Sequence, residues 1–406
     1  MSDFSQNGII STLHDFGTKS TSIIEKELLE FSKQRKMELI LPCLYSELDG
    51  SALPKIVDEI SKTKYLDHVI IGLDRANEKQ AKSAWKFFKK IKTPFTILWN
   101  DGPQLKKLDQ ELRKKDLAPS ELGKGRNVWY CIGMSIARDS ARSVALHDCD
   151  IKTYDRRMLA KLFYPVVNPL FNFEFCKGYY PRVANEKMNG RVARLLVFPL
   201  LTALEKTIGK SDYLDFMKSF KYPLAGEFSF RRNVLPELRI SSDWGIEVGI
   251  LSEMQRSFSP QNICQVDLAD SYDHKHQSLS LDDETKGLSR MSIDIIKTFI
   301  KKLATQGNTF SREKFRSLKA TYYRSALDLI DIYRSDADMN GLKFDSHTEE
   351  KAVELFAINI MKAGEAFILN PMDTPFIPTW SRVKSAIPDF LKRLKEVVNE
   401  DNKKYN

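Results

Sequence analysis

Apolar and polar positions alternate along the first 150 residues in two distinct rhythms. Short apolar runs, Glu38-Leu-Ile-Leu-Pro-Cys-Leu, His68-Val-Ile-Ile-Gly-Leu and the stretch over 95–99, read as buried strands. Between them, apolar positions return every third or fourth residue over 53–62 and 78–90, which predicts helices. Strands alternating with helices in this way predict a mostly parallel sheet with right-handed crossovers. Ahead of it, Ile23, Ile24, Leu28, Leu29 and Phe31 give 22–36 one apolar helical face. After a polar, lysine-rich stretch over 100–125 with a short helix, a helix over 127–139 leads into the apolar run that begins at Val144. A further helix, a strand over 173–179, a polar loop over 181–190, a helix over 191–209 and a strand over 262–268 follow. From about residue 288 the pattern is helical to the end, broken over 370–379 by Pro371, Pro375 and Pro378. The expected architecture is α/β: an N-terminal helical extension (1–36), a Rossmann-like, mostly parallel sheet flanked by helices (37–285), and a helical C-terminal region (286–406).

Composition narrows the class. With 406 residues, 42% hydrophobic and 11% aromatic, the chain can bury a large core. A net charge of +9 permits an anionic ligand, nucleic acid or a membrane surface without choosing among them. The lysines are scattered and no RNA-binding or helix-turn-helix signature stands out, so nucleic acid is not the indicated partner. The five cysteines are odd in number, widely spaced and form no Cys-x-x-Cys, as suits reduced thiols. No secretory leader is visible and no apolar run approaches the ~20 residues that cross a bilayer. A cytoplasmic protein with no membrane partner is expected, with room for a homodimer.

The chemistry gathers at strand ends. Val144-Ala-Leu-His-Asp-Cys-Asp is an apolar run that stops in two carboxylates, Asp148 and Asp150. On extended chain this spacing puts both on one side, and ligands of open α/β sheets collect at the carboxyl ends of strands. Hard divalent cations take such oxygens and complete their shell with phosphates. Alone, the pattern is more often that of a turn or a cap. Pro42 marks the first strand's end, and Asp74 closes the second. Gly123-Lys-Gly-Arg precedes a helix, where glycines and the helix N-terminus favour a phosphate, and Lys124 would add charge. His274 and His276 follow the last predicted strand; either could complete a shell begun by Asp150, with Mn²⁺ suited at least as well as Mg²⁺. Glu227 follows Pro223-Leu-Ala-Gly and could bind sugar hydroxyls or pair with Arg231 or Arg232. Arg191 and Arg194 stand one turn apart at a helix start and could clamp an anion. No Gly-x-Ser-x-Gly, His-Glu-x-x-His or kinase signature appears.

The order of these motifs resembles that of the glucosyl-3-phosphoglycerate synthases, retaining glycosyltransferases of the GT-A fold, with mannosyl-transferring enzymes as more distant relatives. The resemblance covers roughly residues 37–285. It rests on Leu-Pro-Cys-Leu at 41–44, Gly-Lys-Gly at 123–125, Asp-Cys-Asp at 148–150 and Gly-Arg-Val at 190–192. Pro-Leu-Ala-Gly-Glu at 223–227, Trp-Gly-Ile-Glu-Val-Gly at 244–249 and the histidines near 274 complete it. It implies that Pro42, Cys43, Leu44, Glu47, Asp74 and Lys124 contact the nucleotide, and that Asp148 and Cys149 lie along the donor. Leu224, Gly226 and Glu227 would meet the glucosyl group. Asp150 and His274 would hold a divalent metal, Mg²⁺ or Mn²⁺. Gly190, Arg191, Val192, Ala193 and Arg194 would bind the acceptor. Asp148, Glu227 and Lys124 would carry catalysis.

The sequence departs from the family pattern in three places. Tyr45 and Ser46 replace Asn and Glu, Cys149 stands for Ser, and Ala193 stands where the family has a threonine. The implied reaction moves glucose from a nucleoside diphosphate, UDP-glucose first among the candidates, to the 2-hydroxyl of 3-phospho-D-glycerate with retention. The product would feed compatible-solute synthesis by way of glucosylglycerate. Rival readings are a mannosyl transferase using GDP-mannose, an enzyme for free glycerate, a nucleotidyltransferase, and a nucleotide-sugar-binding scaffold without turnover. Donor base, acceptor phosphorylation and the choice between His274 and His276 stay open at this stage.

Overall fold

The computed structural model describes residues 6, 8–274, 287–373 and 376–405. Its strands are β1 (Ser11–Leu13), β2 (Met37–Leu44), β3 (Leu66–Asp74), β4 (Phe95–Trp99), β5 (Ser143–Leu146), β6 (Phe175–Tyr179), the short β7 (Val183–Ala184) and β8 (Lys187–Met188), β9 (Phe228–Arg231), β10 (Ile240–Ser241), β11 (Ile263–Asp267) and β12 (Phe376–Ile377). The helices of the first half are α1 (Thr21–Ser32), α2 (Ala52–Ser61), α3 (Glu78–Phe88), α4 (Pro103–Arg113), α5 (Lys124–Arg138) and α6 (Arg156–Val167). The second half holds α7 (Phe198–Ile208), α8 (Asp212–Lys218), α9 (Ile246–Ser257), α10 (Gly287–Thr305), α11 (Arg312–Met339), α12 (Ser346–Leu369), α13 (Trp380–Ala386) and α14 (Phe390–Tyr405).

Eight strands form one sheet in the order β1-β11-β6-β9-β5-β2-β3-β4. All neighbours are parallel except β9, which runs antiparallel to both β5 and β6. The α/β architecture read from the sequence is therefore present. From β2 the chain builds outward through β3 to β4, then returns through α5 to lay β5 on the other side of β2. That reversal is a topological switch point, where open α/β sheets form their ligand crevice outside the carboxyl ends of the strands. One apolar cluster packs α1, α2, α3 and α6 against one face of the sheet. The other cluster joins α5 and α7 to the helices after residue 286.

Several features depart from the sequence expectation. β9 was not foreseen, because Phe-Ser-Phe-Arg is only four residues long and its pairing partners are distant in the chain. The first 36 residues give more than a helix, since β1 pairs in parallel with β11 and extends the sheet beyond 37–285. The helix expected over 191–209 is divided: Val192–Val197 is wound as a π-helix before α7. Pro199 has no N–H for the carbonyl of Leu195, and the Tyr322 hydroxyl donates to that carbonyl instead, at 2.6 Å.

The C-terminal helices are built into the same core. Trp380 of α13 stacks on Trp129 of α5 with ring centroids 3.9 Å apart. Asn402 of α14 covers the free edge of β4, accepting from the Ile97 N–H at 3.0 Å and donating to its carbonyl at 2.7 Å. An edge strand left bare would offer these groups to another chain.

Candidate active site

The crevice at the switch point is floored by the segment after β5. Period-two alternation carries through it: Cys149 is buried against Cys43, while Asp148 and Asp150 emerge on the opposite side with about a quarter of their side-chain surface exposed. Asp148 lies against Gly226 so closely that a Cβ there would collide with the carboxylate. Only glycine lets the 223–227 turn approach it. Lys124, first residue of α5, donates to Asp148 Oδ1 at 2.7 Å and to Glu247 Oε1 at 3.0 Å. Burial opposes its charge, but the two carboxylates outweigh burial and raise its pKa above the ordinary lysine value. Gly125 makes this possible, since a Cβ there would strike the Ser241 carbonyl.

Glu227 is buried beside this pair. Its Oε2 accepts from the Tyr180 hydroxyl at 2.5 Å and its Oε1 from the Tyr272 hydroxyl at 2.8 Å. The two tyrosine rings stack face to face, 3.6 Å between centroids and 1° from parallel. Burial, with Asp148 nearby, raises the Glu227 pKa; the phenol donors and Lys124 act against this. Behind the turn, fully buried Lys177 of β6 donates to the Ala225 carbonyl at 2.5 Å. Burial pushes its pKa down to about 8.

His274 Nδ1 stands 3.4 Å from Asp150 Oδ2, both side chains being about a quarter exposed (26% and 24%). Burial would raise the Asp150 pKa, but His274 and Lys124 outweigh it and hold the carboxyl below its usual value. An imidazole nitrogen and a carboxylate oxygen at a crevice wall fit a divalent cation. Among the described residues no set of three His, Cys, Asp or Glu side chains forms a closed cage, so a ligand would supply the remaining donors. His276, the other candidate, lies outside the described residues.

The remaining candidate residues divide by position. Pro42, Cys43 and Leu44 end β2 at the crevice, and Glu47 follows in the 3₁₀ turn Tyr45–Asp49. Cys43 is fully buried, its thiol beside Cys149. Asp74 is buried and ion-paired with Arg126 at 2.7 Å, in a different network from the Asp148 cluster. Leu224 and Gly226 form the turn under Asp148 and Glu227.

The acceptor candidates stand in the turn between β8 and the π-helix. There, Arg191 Nε donates to Glu349 Oε1 at 2.8 Å and Arg194 Nη2 to Glu349 Oε2 at 2.9 Å. Arg194 is buried and also donates to the carbonyls of Asn189 and Met188; Arg191 is 35% exposed. Val192 and Ala193 are buried.

Sequence reasoning passed over Glu247, Tyr180, Tyr272, Lys177, Arg182 and Glu349. Glu247 lay inside a quoted motif without a role. The tyrosines carried no local signal, and Glu349 reaches Arg191 from 158 positions away.

A mostly parallel sheet with a carboxylate pair at its switch point, a lysine on the adjoining helix and a buried glutamate beside them is the arrangement of the GT-A class of sugar-nucleotide-dependent transferases. No family model matches the chain. Curated relatives match over its whole length: the glucosyl-3-phosphoglycerate synthase of Persephonella marina is 42% identical over 402 residues (99% of each chain). That of Methanococcoides burtonii is 38% identical over 407 residues, again 99% of each. The chain belongs to the glucosyl-3-phosphoglycerate synthase family. Solved structures agree in fold. The Mycobacterium tuberculosis glucosyl-3-phosphoglycerate synthase with Mg²⁺ and UDP aligns with a TM-score of 0.52 at 22% identity, over 72% of this chain and 86% of that one. Mannosyl-3-phosphoglycerate synthase from Rubrobacter xylanophilus gives 0.54 at 19% identity, over 74% and 83%.

Proposed function

We propose that the protein transfers glucose from UDP-glucose to the 2-hydroxyl of 3-phospho-D-glycerate, with retention, in a divalent-cation-dependent reaction. The observation that carries this reading is the convergence on one sheet edge of Lys124–Asp148, Asp150–His274 and tyrosine-held Glu227. Full-length relatives bear the name of that activity, and the M. tuberculosis protein has been solved with Mn²⁺, UDP and glucosyl-3-phosphoglycerate. Five free, buried cysteines accord with a cytoplasmic setting. Among the described residues no helix is long and apolar enough to cross a membrane.

The residues divide the work by chemistry. Asp150 and His274 would hold the cation, which when bound supplies positive charge against the departing diphosphate. Lys124 adds a fixed positive charge on the same side, already oriented by Asp148 and Glu247. Each Glu227 oxygen accepts one phenol proton and keeps lone-pair capacity for a glucosyl hydroxyl. The backbone around Pro42–Leu44 lines the base pocket, with Glu47 beyond it. Arg191 faces the acceptor phosphate.

The test is a matrix of UDP-, ADP- and GDP-glucose and GDP-mannose against 3-phosphoglycerate and glycerate, with products identified by mass spectrometry. UDP-glucose with 3-phosphoglycerate is expected to give the highest kcat/KM. Preference for GDP-mannose, for glycerate, or nucleotidyl transfer without hexosyl transfer would overturn the reading.

A further inference from the structure

The acceptor corner holds a third arginine with a different set of partners. Arg191 and Arg194 both spend a nitrogen on Glu349. Arg182, at the start of the 181–190 loop, pairs with no carboxylate among the described residues. Its Nη1 donates to the Tyr222 hydroxyl at 3.2 Å, and its Nε is buried without a hydrogen-bond partner among the described residues. A half-buried guanidinium with no carboxylate partner and spare donors favours an acceptor, an anion most of all.

Its position says which anion. A Cβ on Gly190 would lie 3.5 Å from Arg182 Cδ and 3.5 Å from the Tyr222 hydroxyl, so Arg182 borders the Gly190–Arg191 turn. Tyr222, which borders the same turn, has its ring 5.2 Å from that of Tyr180, which is bonded to Glu227. Arg182 thus borders the turn proposed for the phosphate and is linked through Tyr222 and Tyr180 to the carboxylate proposed for the glucosyl group. In 3-phosphoglycerate the carboxylate carbon is bonded directly to the reacting C2, and the phosphorus lies beyond C3 and the ester oxygen on the opposite arm. With C2 facing the sugar, a carboxylate falls on the Glu227 side of the phosphate. A planar guanidinium fork matches it.

We propose that Arg182 is an acceptor-binding residue that takes the carboxylate of 3-phosphoglycerate while Arg191 faces the phosphate. This rests on the acceptor proposed above. It makes the enzyme selective for hydroxy acids over the corresponding alcohols.

The experiment compares Arg182→Gln, Arg182→Lys and Arg191→Ala with 3-phosphoglycerate as substrate and glycerol 3-phosphate, which has phosphate but no carboxylate, as competitor. Arg182→Gln should raise KM for 3-phosphoglycerate about tenfold to a hundredfold, the range expected for losing hydrogen bonds to a charged group. Its inhibition constant for glycerol 3-phosphate and its KM for UDP-glucose should stay within about twofold of wild type, since neither ligand has the carboxylate. Arg182→Lys keeps charge but loses the fork, and should fall between. Arg191→Ala should weaken both anions. Parallel weakening of glycerol 3-phosphate in Arg182→Gln, or an unchanged KM for 3-phosphoglycerate, would overturn the carboxylate assignment. Absence of 3-phosphoglycerate turnover in wild type would instead fail the proposed function.

Discussion

Glu349→Ala is the perturbation whose consequence the structure sets most clearly. The side chain is 5% exposed and its two oxygens hold two arginines of different character. Removing one member of a buried ion pair costs about 3–5 kcal/mol, because the other charge stays buried and unmatched. Arg194, itself 9% exposed, is that other charge. It keeps the carbonyls of Asn189 at 2.9 Å and Met188 at 3.1 Å and lies 4.9 Å from the Tyr333 ring centroid. Those contacts put the cost at the low end, about 3 kcal/mol. Arg191 is 35% exposed, so its half of the bridge is screened by water and contributes at most about 1 kcal/mol. Urea unfolding followed by tryptophan fluorescence and circular dichroism should therefore rank Glu349→Ala far below Arg191→Ala. With a slope of about 3 kcal/mol per molar urea, the midpoints should fall by about 1 M and no more than about 0.3 M. Equal shifts, or a Glu349→Ala shift below that of Arg191→Ala, would refute the assignment of the buried charge to Arg194. The same ranking makes Arg191→Ala a usable probe of acceptor binding, since the protein remains folded.

Two further outcomes are expected. Asp150→Ala should abolish turnover and weaken Mn²⁺ binding measured by calorimetry while leaving the unfolding midpoint near wild type; full activity in EDTA or in the variant would remove Asp150 from the site. Lys177 has a folded-state pKa near 8 against an ordinary value of 10.5, so between those values the unfolded chain binds a proton that the folded chain does not. Stability from this group must then rise with pH across that window, by up to about 1.4 kcal/mol per unit. The gain in unfolding free energy from pH 8 to pH 10 should thus be larger in wild type than in Lys177→Met; identical pH slopes would show that the lysine is not held at a depressed pKa.

The parts of the fold written in local pattern were legible. Apolar runs of strand length and helical spacing between them located β2 to β5 with α2, α3 and α5, because burying one face requires that periodicity whatever the neighbours. Asp148 and Asp150 could be placed at a strand end for the same reason. β9 and β1 were not legible: Phe-Ser-Phe-Arg and Ser-Thr-Leu are too short to show a period, and each becomes a strand only when its partners are beside it. The division of the 191–209 helix goes with Pro199, which lacks an N–H for the Leu195 carbonyl, and with Tyr322, which satisfies that carbonyl from 127 positions away.

At the site, the sequence by itself determined the chemical groups and the order in which the chain delivers them: the Asp148–Asp150 pair, Lys124 between its glycines, Glu227 after its turn, and the arginines of the 190s. Tertiary structure alone decided which of these are free to act. It set Lys124 between Asp148 and Glu247, stacked Tyr180 on Tyr272 to hold both oxygens of Glu227, and buried Asp74 on Arg126. It brought Glu349 from a C-terminal helix onto Arg191 and Arg194, leaving Arg182 without a carboxylate partner among the described residues. The reason is physical: propensity and periodicity act over a few residues, whereas the partner of a charge is chosen by packing that joins segments far apart in the chain.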